Sequence, residues 1–239
     1  MIRLTLAEIA RVVDGQLLQP TSAEAVITGS VETDSRLVAT GSLFVAKPGE
    51  VTDGHLFLAM ALERGAVAAI VQQQVEVDVP QILVGDSVLA LGRLAKHVMA
   101  VLRDQHNLKV IGITGSNGKT TTKNMLRAML SAFGETVAPI ESYNNVVGAP
   151  VSILKIDRDT RFLVAELGAA GPGSIAYLAE IVQPDIAVEL KVGMAHAGEF
   201  GGIEATAAIK AELLDYVNPD GAVVLNADDS WVRDMAAKT

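Results

Sequence analysis

The run Val110-Ile-Gly-Ile-Thr-Gly-Ser-Asn-Gly-Lys-Thr-Thr-Thr122 leaves a chain few folds to choose from. An apolar strand that enters a glycine-rich turn and leaves it as a helix belongs to an α/β sheet, with the turn at the carboxyl end of the strand. Such a turn exposes successive main-chain N–H groups at a helix N-terminus, where the dipole favours an anion, and Lys119 adds a full positive charge. Thr120 is then placed to give its hydroxyl to a Mg²⁺ that also holds phosphates. The full nucleoside-triphosphate pattern requires a glycine five positions before Gly118, where this chain has Ile113. What remains, Gly115, Ser116, Asn117, Gly118, Lys119, Thr120 and then Thr121, is a shorter phosphate cradle. The competing reading is an ordinary glycine-rich strand-to-helix turn.

Hydrophobic periodicity arranges the rest of the chain around this turn. Thr5 can cap a short helix whose Leu6, Ile9, Ala10 and Val13 recur at helical spacing, ended by Gly15. Strands are expected over 26–31 and 42–46, a helix over 55–64, strands over 67–71 and 81–84, and a long helix over 87–103. Asp104-Gln-His-Asn107 reads as a linker. Beyond it, strands over 109–114, 136–140, 162–166, 186–190 and 222–225 alternate with helices over 119–133, from about 147, over 174–181 and over 203–216. In the helix over 119–133, Met125, Leu126, Met129, Leu130 and Phe133 form one apolar stripe, read as core. The expected fold class is α/β: a small α/β domain over 1–106, then a mostly parallel, helix-covered, P-loop-type sheet over 107–239.

Polar residues cluster at the ends of these strands. Thr33-Asp34-Ser35-Arg36 follows the first, and Asp53-Gly54-His55 lies beyond the second. Ser35, Arg36, Asp53 and His55 are therefore candidates for a ligand surface, against the plainer reading of a solvated turn and a helix cap. In the second half Glu166 closes the apolar run Phe-Leu-Val-Ala, where a carboxylate can hold Mg²⁺ directly or through water. His196 follows the strand over 186–190, and Asn226 ends the last strand, placed to touch a nucleoside. With the turn from Gly115 to Thr120, these residues compose a metal–nucleotide site.

Composition narrows the partners. At 239 residues the chain has room for one large or two modest domains. No apolar run reaches the roughly 18 residues of a membrane span, and the N-terminus lacks a basic region followed by an apolar one, so a cytoplasmic protein is expected. The absence of cysteine excludes disulfides and thiolate metal sites. A formal net charge of −9 leaves no basic face to displace counterions, which argues against non-specific nucleic-acid binding.

The Gly-Ser-Asn-Gly-Lys-Thr-Thr-Thr turn, Asn144-Asn145 with Gly148-Ala-Pro150, Glu166-Leu-Gly168, Val192-Gly-Met-Ala-His196 and Ala207-Ala-Ile-Lys210 resemble, in order and spacing, the ATP-dependent Mur ligases of peptidoglycan synthesis. Asp34-Ser-Arg36, Leu43-Phe-Val-Ala46 and Asp53-Gly-His55-Leu-Phe57 resemble the family's UDP-substrate domain. The resemblance implies an enzyme that uses ATP and Mg²⁺ to convert a carboxylate of a UDP-N-acetylmuramoyl peptide into an acyl phosphate, which an amine then attacks. Lys123 after the three threonines and the Asn144-Asn145 pair bring the likeness nearest to members whose amine is D-alanyl-D-alanine. It implies Lys119, His196 and Lys210 as catalytic groups and Thr120, Glu166, His196 and a carbamylated Lys210 as metal ligands. It also gives the turn from Gly115 to Thr121 to ATP, and Ser35, Arg36, Asp53, His55, Asn144 and Asn145 to the UDP substrate. Two departures stand out: the family usually has asparagine at Lys191, and it continues past Asn226-Ala-Asp228 with more of its central domain and a third domain. The chain thus reads as a fragment, expected to be inactive alone. A non-catalytic binding module, the related ligase that adds the third peptide residue, and folylpolyglutamate synthase are the alternatives. The polar cluster preceding the phosphate turn argues against the last.

Overall fold

A computed structural model describes residues 1–49, 52–139, 143–193 and 200–239. The chain forms two compact units, one of Met1–Val98 with Leu154–Asp157, the other of Met99–Ile153 with Arg158–Thr239.

The first unit runs β1 (Leu4–Thr5), α1 (Leu6–Val12), β2 (Gln16–Leu17), β3 (Val26–Ile27), β4 (Val31–Glu32), β5 (Ser42–Val45), α2 (Leu58–Glu63), β6 (Ala66–Val71), β7 (Gln81–Leu83) and the start of α3 (Ser87–His106). Thr5 caps α1 in a capping box: its hydroxyl accepts from the Glu8 N–H, and the Glu8 carboxylate accepts from the Thr5 N–H at 2.8 Å. The apolar face of α1, with Leu6 and Ile9, is buried. The expected strand over 26–31 is broken in two, because the Gly29 N–H bonds the Gly41 carbonyl at 2.9 Å. β3 then pairs with β1 in a separate antiparallel ribbon. The main sheet has the order β2-β7-β6-β5-β4, parallel except for β2. Phe44, Ala46, Leu58, Ala61, Ala69 and Val71 form its core. α3 runs on to His106 and so takes up most of the expected linker; Asn107 ends it at φ 52°, a conformation that asparagine tolerates.

The second unit continues with β8 (Lys109–Thr114), α4 (Lys119–Leu130), β9 (Glu135–Val137), α5 (Gly148–Ile153), β10 (Thr160–Glu166), α6 (Ser174–Val182), β11 (Ile186–Glu189), α7 (Ile203–Ala211), β12 (Ala222–Leu225) and α8 (Ser230–Asp234). Its sheet, β12-β11-β8-β10-β9, is parallel throughout. The chain crosses the central β8 in passing from β10 to β11, so the turn after β8 sits at the switch point where such sheets bind ligands. The helix expected over 203–216 keeps α geometry only to Ala211 and finishes as a 3₁₀ turn, Glu212–Tyr216.

One face of the sheet packs on α4: Ile111, Ile113 and Val164 are buried against Leu126 and Leu130. Only this half of the expected stripe is core. Met125 (59% exposed), Met129 (53%) and Phe133 (71%) lie on the surface. Successive helical residues are about 100° apart, so the row 125–129–133 turns away from the sheet that the row 126–130 contacts. Ile113→Ala is therefore expected to cost about 2–5 kcal/mol. Met129→Ser should stay within about 0.5 kcal/mol. Equilibrium urea unfolding checks both, and comparable losses would place the methionine in the core after all.

Candidate functional site

β8 ends at Thr114, whose hydroxyl donates to the Leu167 carbonyl at 2.9 Å and ties the strand to the exit of β10. The turn beyond it needs glycine twice. Gly115 has φ 148°, and a Cβ there would lie 2.9 Å from the Leu190 Cβ; Gly118 has φ 87° and forms the N-cap of α4. The exit of β11 clamps the turn from behind. The Ser116 N–H donates to the Lys191 carbonyl at 2.7 Å, and the Gly193 N–H donates to the Ser116 hydroxyl at 2.9 Å. The ladder of α4 opens with the Thr122 N–H on the Gly118 carbonyl at 2.9 Å. The N–H groups of Lys119, Thr120 and Thr121 precede that bond and are the donors a helix start offers to an anion. Asn117, Gly118 and Thr121 are exposed, while Lys119 and Thr120 are half-buried. Lys119 Nζ folds back on the Gly115 carbonyl at 2.8 Å. Taking up a phosphate oxygen would exchange a neutral acceptor for a charged one, which gives the stronger bond.

Glu166, 2% exposed, ends β10 beside this turn. Its Oε2 accepts from the Thr120 hydroxyl at 3.1 Å, and its Oε1 accepts from Asn144 Nδ2 at 2.7 Å. Octahedral Mg²⁺ bonds oxygen at about 2.0–2.1 Å, which sets neighbouring ligands about 2.9 Å apart. Thr120 Oγ1 and Glu166 Oε2 are spaced like such a pair. Among the described residues no three histidine, aspartate or glutamate side chains converge to hold a metal by themselves. Mg²⁺ commonly takes one or two protein oxygens and completes its shell with phosphates and water, and the oxygens of Thr120 and Glu166 match that number. The residues present thus fit the ion. His196 lies outside the described residues.

Lys210, on α7, is 4% exposed. Burial, and secondarily the charge of Lys119, lower its amine to about 8, against the pull of Glu189. Glu189 is a residue that sequence reasoning missed. It ends β11 opposite Thr114, is 1% exposed, and among the described residues neither carboxylate oxygen has a hydrogen-bond partner. Burial pushes it up to about 8, with Lys210 opposing. The available signal was a glutamate in the apolar run Ile-Ala-Val-Glu-Leu, at the same strand end as the other candidates. Lys191, the departure from the family's asparagine, serves the turn through its backbone carbonyl while its side chain is exposed.

The remaining candidates are held within the protein. Asn145 Oδ1 accepts from the N–H groups of Val147 and Gly148 at 3.1 and 2.8 Å, at the start of α5. Asn226 donates from Nδ2 to the Leu190 carbonyl at 2.8 Å and accepts from the Asp228 N–H at 3.1 Å. In the first unit, β4, β5 and β6 run parallel, so the segments after them emerge at one end of the sheet. His55 is buried and its Nε2 accepts from the Gln72 N–H at 2.8 Å, so the proton sits on Nδ1 and is donated to Asp53, 2.5 Å away. The hydrogen bonds from His55 hold the Asp53 carboxyl below its usual range. Arg36 pairs with Asp34 at 2.6 Å and presents an exposed guanidinium. Ser35 is turned inward, donating to Met60 Sδ at 3.4 Å.

Glu189 makes stability depend on pH with a definite sign. Its folded-state value of about 8 lies above the ordinary 4.5. The contribution is complete below the unfolded value and is lost as pH rises through the folded one. Lys210, lowered from 10.5 to about 8, acts above that window: its contribution is present above 10.5 and lost as pH falls towards 8. Glu189→Gln should therefore gain stability relative to the parent protein as pH is raised from about 5 to 8. Urea midpoints across that range check this, and a constant difference would reject the raised value of the buried Glu189 carboxyl.

The chain matches the Mur ligase middle domain over residues 113–239 and the domain described as "Mur ligase family, catalytic domain" over residues 28–99. It is 43% identical to the UDP-N-acetylmuramoyl-tripeptide–D-alanyl-D-alanine ligase of Mycobacterium leprae, across 100% of this chain and 51% of that relative. It is 34% identical to the Escherichia coli enzyme of the same name, across 98% and 50%. The crystal structure of MurF from Acinetobacter baumannii superposes with a TM-score of 0.90 at 33% identity, covering 99% of this chain and 51% of the other. MurF from Thermotoga maritima, solved in complex with ADP, gives 0.76 at 35% identity, covering 89% and 48%. The chain spans about half the length of the curated relatives it matches. On the strength of the middle-domain match and of this identity along its whole length, the chain belongs to the Mur ligase family.

Proposed function

We propose that this chain supplies the ATP and UDP-substrate sites of a cytoplasmic UDP-N-acetylmuramoyl-tripeptide–D-alanyl-D-alanine ligase. The observation that carries the reading is the Thr120–Glu166 pair, set at the mouth of a phosphate turn in a chain similar throughout to ligases of that name. In the reaction, the terminal carboxylate of the UDP-linked tripeptide attacks the γ-phosphorus of ATP and ADP leaves. The amine of D-alanyl-D-alanine then attacks the acyl carbon; phosphate leaves and a proton is lost from nitrogen. Both steps bring an anion or a lone pair towards a crowded negative charge, so positioning and charge neutralisation carry the catalysis.

Lys119 and the N–H groups at the start of α4 bind the phosphates. Thr120 and Glu166 are the protein oxygens that would hold Mg²⁺. The ion, when bound, supplies charge neutralisation between the phosphates and the incoming carboxylate. Lys210 is read as the carbamylated lysine: its amine reacts with CO₂ and releases a proton, which requires the neutral form that burial favours. Arg36 and Asp53, exposed at one end of the first sheet, are read as contacts for the UDP-linked substrate, with His55 fixing Asp53. Among the described residues no helix is long and apolar enough to cross a membrane.

Mg-ATP at about a hundred times its dissociation constant should stabilise the fold by about 2.7 kcal/mol. Lys119→Ala should remove that gain in a thermal-shift titration, and equal stabilisation of both proteins would overturn the phosphate assignment. By calorimetry the UDP-N-acetylmuramoyl tripeptide should bind more tightly than the dipeptide form. The reverse order would identify the related ligase that adds the third residue.

A further inference from the structure

We propose that Asn144 is a positioning residue for the cation-binding carboxylate: its side-chain amide fixes Glu166 through Oε1 and so directs Oε2 to the Thr120 hydroxyl. The inference rests on the metal–nucleotide reading above and adds to it a residue outside the ion's own ligands. Asn144 Nδ2 donates to Glu166 Oε1 at 2.7 Å, shorter than the 3.1 Å contact from Thr120 to Oε2. Asn144 is itself held by two neighbours, Gly168 and Asn145. Its carbonyl accepts from the Gly168 N–H at 2.9 Å. Its side chain lies over Gly168, where a Cβ would come 2.7 Å from Oδ1 and 2.8 Å from Cγ. On its other flank, Asn145 anchors the segment to the start of α5.

The two asparagines therefore have separate jobs. Asn145 closes a helix end, and Asn144 spends its amide on a carboxylate that is 2% exposed. A buried carboxylate oxygen stripped of its donor is costly, and the group gains freedom to rotate about its terminal bond. The cation then meets a ligand whose two oxygens are no longer assigned to different partners. Groups that orient a metal ligand without touching the metal typically alter metal affinity by about 10–100-fold when removed. Gly168 belongs to the same device, because any side chain there would displace the asparagine.

Mn²⁺ in the presence of ADP is the probe, with free Mn²⁺ followed by electron paramagnetic resonance on the 239-residue chain. Asn144→Ala should raise the Mn²⁺ dissociation constant about 10–100-fold. It should leave ADP affinity in chelator unchanged, and it should have no further effect in a Glu166→Gln background. Asn144→Ser, too short to span the contact, should act in the same direction if the alanine variant does not fold. Unchanged Mn²⁺ affinity in the folded variants, or losses that add in the double variant, would overturn the proposal while Glu166→Gln alone still weakens binding. If the unmodified protein fails to bind Mn²⁺ with ADP, or if Glu166→Gln binds it equally well, the metal–nucleotide reading falls and the proposal with it.

Discussion

The turn after β8 keeps its shape because the exit of β11 grips it through two hydrogen bonds, Ser116 N–H to the Lys191 carbonyl and Gly193 N–H to the Ser116 hydroxyl. Each such bond contributes only about 1 kcal/mol net. Their importance is geometric. They fix where α4 begins, and hence where Lys119 points and how Thr120 meets Glu166. The grip holds because β8 and β11 are paired strands with an apolar layer beneath them, so the loop rests on a base that does not yield.

Around that turn the protein arranges charge at some expense. Glu189 and Lys210 sit in low-dielectric surroundings without direct hydrogen bonds to one another, and each shifts towards its neutral form. Lys119 therefore has beside it a pair that burial has moved towards neutrality, rather than two opposed full charges. On the other side of β8 the carboxylate is treated differently. Glu166 keeps both oxygens engaged, one by the threonine of the turn and one by an asparagine anchored elsewhere.

Much of this was legible in the sequence. A strand, two glycines with fixed spacing, a lysine and a threonine define the phosphate turn, since each residue does something no other type does there. The alternation of strands and helices predicted the parallel sheet for the same reason. Four features resisted. The exposed row of Met125, Met129 and Phe133 was hidden because apolar type alone does not say which of two adjacent helical rows meets the sheet. The break between β3 and β4 depends on a backbone bond between Gly29 and Gly41, invisible to periodicity. Glu189 and the task of Asn144 emerge only when distant segments are placed side by side.

Lys191 occupies a position that serves the site through its main chain alone. The carbonyl of that residue is indispensable to the turn, yet its side chain projects into solvent. Its ammonium therefore adds positive charge beside the phosphate turn without replacing any atom that shapes it, so the field at the turn and the shape of the turn are set by different parts of one residue.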